Sequence, residues 1–150
     1  MNPDFRDIIE LLIEQDVQFV VVGAHALAVH GVARATGDID FFVNPSTDNA
    51  QSVYRVLQKF GAPVEAHGVQ AADFATAGTI YQIGLPPTRI DILTHIDGVS
   101  FEEAWRGHLS VETGGLSVPF LGKAEFVKNK RASGRPKDLL DIALLKEVES

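Results

Sequence analysis

Apolar residues recur at helical spacing over 3–15, where Phe5, Ile8, Ile9, Leu11 and Leu12 fall on one face of a helix. The period then changes. "VQFVVVG" (17–23) is an unbroken apolar run ending in glycine, the pattern of a strand buried on both faces. "AHALAVHG" (24–31) is alanine-rich and stopped by Gly31, which predicts a short helix. A strand follows in "DIDFFV" (38–43). The stretch 44–61 reads as a turn and helix, with Ser46 or Thr47 as N-cap and Gly61 as terminator. Residues 62–78 read as loop with one helical turn near "AADFAT". "TIYQIGL" (79–85) and "TRIDILT" (88–94) both alternate and, joined by Pro86-Pro87, predict neighbouring strands. Ser100 and Glu103 stand at capping-box spacing ahead of a short helix over 100–107. Two strand-like runs flank Gly114-Gly115 within 109–121, a hairpin signal. Two helices close the chain, over 122–134 and 135–148, with Pro136 in the first turn of the second. The order predicts an α+β fold with a small mixed sheet flanked by helices and a C-terminal helix pair. No internal repeat or low-complexity segment interrupts it.

Composition and charge narrow this picture. A chain of 150 residues that is 45% hydrophobic suits one domain with a real core. The absence of cysteine excludes disulfides, thiolate chemistry and zinc-ribbon readings, and fits a reducing compartment. "MNPDFRDIIELL" lacks a basic segment followed by an apolar one, and no apolar run approaches the roughly 20 residues that span a bilayer, so the expectation is a cytoplasmic protein with no membrane partner. A net charge of −7 argues against a surface that coats nucleic acid. Yet six of the 13 basic residues, Lys123, Lys128, Lys130, Arg131, Arg135 and Lys137, fall in one segment that holds a single acid, Glu125. That segment is either a solvated helix face with cations near a helix end or a site for phosphates.

The chemistry concentrates on three aspartates. Asp38 and Asp40 lie in or at the mouth of an apolar strand, two residues apart and so on one face. Like charges held side by side need a positive partner, and hard oxygen donors at this spacing suit Mg²⁺ or Mn²⁺ rather than zinc. The bland alternative is a pair of solvated carboxylates at a strand edge. In "RIDIL" the alternation sends Ile90 and Ile92 to the core and sets Asp91 on the other face beside Arg89, either as a weak surface pair or as a third carboxylate. Three carboxylates are what a two-metal phosphoryl-transfer site requires. Gly23-Ala24, between a buried strand and a helix, offers close backbone approach and free N–H donors, a ready place for phosphate. His25 and His30 are five apart, off the spacing that aligns two metal ligands on a helix, and read as hydrogen-bonding residues. Triad, Walker and Rossmann patterns are absent.

Taken together, "VVVGAHALAVHGVARATGDIDFFV", "RIDIL" and "KNKRASGRPKDLLDIALL" resemble, in that order, motifs of the nucleotidyltransferase superfamily that shares the polymerase β palm. The branch they are most similar to is that of AbiEii-type and related toxin–antitoxin proteins; residues 44–85 match only in outline. The resemblance implies a palm core over about 17–94, with the hairpin and C-terminal helices over about 100–150, in one domain. It implies that Asp38, Asp40 and Asp91 are the catalytic, metal-binding carboxylates. Gly23, Ala24, Arg34, Thr36, Lys130 and Asp138 would then bind nucleotide: Gly23 and its helix cradle the phosphates, and Arg34 and Lys130 neutralise them. Asp138 or Asp141 would orient the lysine or the acceptor. One position departs from the pattern, since Ala24 stands where the superfamily usually has glycine or serine, which implies a weaker hold on triphosphate.

The expected function is Mg²⁺-dependent (or Mn²⁺-dependent) transfer of a nucleoside monophosphate from an NTP to a hydroxyl of RNA, tRNA included, or of a partner protein. The expected setting is a toxin–antitoxin pair with a cognate toxin or antitoxin, and oligomers are compatible with it. The alternative is a weak or inactive nucleotide- or metal-binding module acting as a partner-binding or regulatory subunit.

Overall fold

The structure, a computed structural model, describes residues 1–32 and 37–149. Helix α1 (Pro3–Glu14) starts where Asn2 accepts hydrogen bonds from the amides of Asp4 and Phe5, and it buries Phe5, Ile8, Ile9 and Leu12. Strand β1 (Phe19–Val22) is buried at all four positions, as an unbroken apolar run requires. Helix α2 (Gly23–Val29) leaves it without a spacer and packs over it. Strand β2 (Ile39–Val43) runs antiparallel to β1 and is buried except at Asp40. Helix α3 (Thr47–Phe60) is capped by Ser46 and ends on Gly61 in the left-handed conformation. A short 3₁₀ turn (Ala71–Ala75) leads to β3 (Ile80–Ile83) and β4 (Ile90–Leu93). Helix α4 (Phe101–Arg106) carries the expected Ser100–Glu103 capping box. The hairpin β5 (Leu109–Thr113) and β6 (Leu116–Phe120) precedes the helix pair α5 (Lys123–Ser133) and α6 (Pro136–Glu149).

All six strands form one mixed sheet in the order β3-β4-β2-β1-β6-β5. Parallel pairing joins β2 to β4 and β1 to β6, and antiparallel pairing joins the rest. The hairpin is therefore continuous with the other four strands: Leu121 donates to the Val21 carbonyl at 2.9 Å and extends the β1–β6 pairing. This α/β architecture is the α+β, mixed-sheet, helix-flanked one that the sequence predicts.

The β1/β2 register places Val22 opposite Asp40, and so sets that carboxylate at the point where β1 turns into α2. Buried Asn49 fixes this register: its Oδ1 accepts from the Gln18 amide at 2.8 Å while its Nδ2 donates to the carbonyls of Gln18 and Asn44. One side chain thus ties the entry of β1 to the exit of β2. A slip of one residue would turn every β2 side chain to the other face. Among the described residues, no helix is long and apolar enough to cross a membrane.

Candidate active site

Strands β2 and β4 set Asp40 directly beside Asp91 in a parallel pair, and Asp38 stands just ahead of β2. Asp91 is buried rather than surface-facing. Asp40 of β2 and Gln82 of β3 stand beside it in register, and the Arg89 guanidinium lies against its carboxylate. The positive charge held against these carboxylates is Arg89. Its Nε donates to Asp91 Oδ1 at 2.7 Å and its Nη2 to Oδ2 at 3.1 Å, a bidentate fork. The same Nη2 lies 3.4 Å from Asp38 Oδ2, and the Arg89 backbone amide donates to Asp38 Oδ1 at 2.8 Å. The Arg89–Asp91 pair is thus part of an ion network with a buried member, not the weak exposed pair that the spacing alone allows.

Asp40 is the carboxyl most costly to ionise. Burial, and then the neighbouring Asp91 carboxylate, push its carboxyl up from 3.8 to about 7, with Arg89 pulling the other way. Its Oδ2 also fills the space above Gly23: a Cβ built on that glycine would lie 2.5 Å from it. Gly23 has φ +72°, so the turn from β1 into α2 needs glycine both for its backbone angle and for the approach of Asp40. The sequence assigns that glycine to phosphate; in the structure its open face meets a carboxylate.

Gly37, next to Asp38, is held from two sides. His25 Nε2, on α2, donates to the Gly37 carbonyl at 3.2 Å, and a Cβ on Gly37 would lie 2.9 Å from the Pro87 carbonyl. The β3–β4 connection therefore crosses directly over Gly37, which brings Arg89 to Asp38. His30 Nε2 donates to the Leu121 carbonyl at 2.7 Å. Both histidines serve as hydrogen-bond donors to backbone.

Gly23, Asp38, Asp40 and Asp91 are thus brought together, and Arg89, which sequence reasoning paired only with Asp91, joins them. Arg34 and Thr36 lie outside the described residues. Lys130 and Asp138 form a second cluster where α5 meets α6. Asp138 is fully buried, accepts from Arg135 Nε at 2.8 Å and lies 3.4 Å from Lys130 Nζ. Arg135's hydrogen bonds hold its carboxyl below the usual carboxylate range against the cost of burial, and the Lys130 charge adds to this. Lys128 pairs with Glu103. Three cations of the basic segment are therefore matched by acids within the fold. Asp141 is buried one turn beyond Asp138. Replacing Asp138 with Ala should leave Lys130 without its buried counter-charge. The expected loss is about 2 kcal/mol, below the usual figure for a broken buried pair because Arg135 is largely exposed. Denaturant unfolding of the variant checks this.

The donor chemistry suits a divalent cation: three hard oxygen-bearing groups on adjacent strands, one of them with its carboxyl pushed up by burial and by a neighbouring carboxylate, a cost that a bound cation would relieve. Among the described residues, however, no three such side chains are gathered closely enough to hold a metal ion as they stand.

The fold is similar to those of solved structures named as nucleotidyltransferases. A nucleotidyltransferase candidate from Thermotoga maritima aligns over 98% of this chain and 93% of its own, with TM-score 0.60 and 18% identity. ANT(2″)-Ia, solved with adenylyl-2″-tobramycin, aligns over 97% of this chain and 87% of its own, with TM-score 0.57 and 13% identity. The lincosamide adenylyltransferase LnuA, solved with lincomycin, covers 97% and 96%, with TM-score 0.51 and 15% identity. At these identities the likeness is one of fold. No family model matches the sequence, and no curated protein matches it.

Proposed function

We propose that this protein transfers a nucleoside monophosphate from an NTP to an acceptor hydroxyl. The observation that carries the reading is the in-register Asp40–Asp91 pair with Asp38 beside it, set in a fold shared with nucleotidyltransferases. Asp38, Asp40 and Asp91 would hold Mg²⁺, or Mn²⁺, which when bound neutralises triphosphate charge and makes the acceptor hydroxyl more acidic. The acceptor oxygen forms a bond to the α-phosphorus as the bond from that phosphorus to the bridging oxygen breaks. Pyrophosphate leaves, and a carboxylate of the cluster, Asp91 on this reading, takes the hydroxyl proton. The backbone amides of Gly23 and Ala24, together with Arg34, Thr36 and the Lys130–Asp138 pair, would serve the nucleotide.

The acceptor is a hydroxyl on RNA or a partner protein, within a toxin–antitoxin pair or outside one. Two features bear on that choice. The net charge is −7, and Lys128, Lys130 and Arg135 already face Glu103 and Asp138, which leaves less of the basic segment for a polyanion and favours a protein acceptor. The acceptors of two of the structural neighbours are antibiotics, tobramycin and lincomycin, so small molecules belong in any acceptor screen.

The test is calorimetric titration with ATP, CTP, GTP and UTP, with and without Mg²⁺, on the wild type and on a variant carrying Asp38→Asn and Asp40→Asn. Metal-dependent binding of an NTP that the folded variant loses is the expected result. A folded wild type that binds no NTP would overturn the reading. Binding without any transfer product would support the alternative, a regulatory or partner-binding module.

A further inference from the structure

Arg89 is placed to do more than pair with its neighbour. Both oxygens of Asp91 accept from its guanidinium, one oxygen of Asp38 accepts from its backbone amide, and the other lies 3.4 Å from Nη2. Every oxygen of two of the three carboxylates therefore faces a donor of this one residue. A dication bound through the same oxygens would lie against the guanidinium, and two positive charges at such range repel strongly. The backbone of Arg89 is fixed, since its carbonyl accepts from the Ile39 amide at 3.0 Å, but its side chain is about one-quarter exposed and has a route to water.

We propose that Arg89 is a resident counter-cation that competes with the divalent cation for Asp38 and Asp91. This inference rests on the nucleotidyl-transfer reading. Arg89 occupies the carboxylates until the incoming cation displaces its guanidinium from at least one of them. Free cation then binds weakly, because it must displace a bidentate ion pair. A cation arriving with a triphosphate binds better, because the released guanidinium has phosphate oxygens to pair with instead. The site thus favours the metal–nucleotide complex over metal alone.

The experiment measures Mn²⁺ binding, with no nucleotide present, to the wild type, Arg89→Met and Arg89→Lys by electron paramagnetic resonance of the free ion. Mn²⁺·ATP and the corresponding complexes of the other three NTPs are titrated alongside. Arg89→Met, which keeps an unbranched stem without charge, should bind Mn²⁺ at least tenfold more tightly than wild type. Arg89→Lys should fall between them, since a point charge remains but the fork is lost. A gain in affinity is not what general damage to the fold produces. Unchanged or weaker Mn²⁺ binding by both folded variants would overturn the proposal, and would instead make Arg89 a fork that holds the carboxylates ready. Should the wild type bind none of the Mn²⁺–NTP complexes, the nucleotidyl-transfer reading itself fails, and this inference with it.

Discussion

Asp40→Asn should abolish nucleotidyl transfer and, at pH 8, make the protein more stable. Folding raises the Asp40 carboxyl from 3.8 to about 7, chiefly through burial and then through the Asp91 charge. The sign follows from proton counting. Between about pH 4 and pH 7 the unfolded chain has lost this proton while the folded chain still holds it, so stability falls as pH rises through that window. Above about 7 both states are ionised and the penalty stays constant. At 1.36 kcal/mol per unit, an ionised Asp40 costs the fold on the order of 4 kcal/mol. Asparagine keeps the shape, carries no charge and can donate to Asp91. Thermal unfolding should therefore place the variant above wild type by roughly 8–16 °C at pH 8 for a chain of this size. The difference should vanish near pH 4, where both carry a neutral side chain. A nucleotidyltransferase assay on the same samples should show no product. A variant that is less stable than wild type at pH 8 would mean that Asp40 is not a strained charge. On the proposed function Asp40 would be costly to the fold and required by the reaction, a common stability–activity trade-off.

That strain was only partly legible in the sequence. The elements were readable because their signals are local: apolar period, the Ser46 cap, Gly61 as helix stop, the Ser100–Glu103 box and the double-glycine hairpin all act within a few residues. The order of the three aspartates was equally local. What the sequence hides is their surroundings. Alternation puts Asp91 opposite Ile90 and Ile92 but does not say whether that second face meets water. Its burial depends on side chains that pairing with β2 and β3 brings beside it, Asp40 and Gln82, and on the Arg89 guanidinium. Arg89 was visible as a neighbour of Asp91, whereas its hold on Asp38 spans 51 residues and exists only because β2 and β4 pair in parallel. The basic segment misleads for the same reason: Lys128 finds Glu103 across 25 residues, so a run of cations in the chain is not a run of free cations in the fold.

Gly23→Ala should damage both fold and site, and a second glycine separates the two effects. Gly23 and Gly61 both adopt positive φ, +72° and +91°. Alanine at either position pays for the left-handed conformation, about 1–2 kcal/mol. At Gly61 nothing lies within 4 Å of the added methyl, so that backbone strain is the whole effect, and Gly61→Ala should lose stability while leaving Mn²⁺ and NTP affinity unchanged. At Gly23 the methyl would stand 2.5 Å from Asp40 Oδ2, well inside van der Waals contact. Either the carboxylate swings away or the β1–α2 turn opens. Relief by moving a short side chain is the easier course, so Gly23→Ala should cost roughly 2–3 kcal/mol in all, only modestly more than Gly61→Ala. Its larger consequence is chemical, because the group that moves is the carboxylate facing Asp91. Metal-dependent NTP binding should fall at least tenfold in the folded Gly23→Ala protein, in proportion to the displacement of Asp40 rather than to the lost stability. Equal binding by the two glycine variants, measured well below their melting temperatures, would show that Asp40 can leave Gly23 without consequence. The close approach would then be packing alone, and the glycine would be required only for the turn.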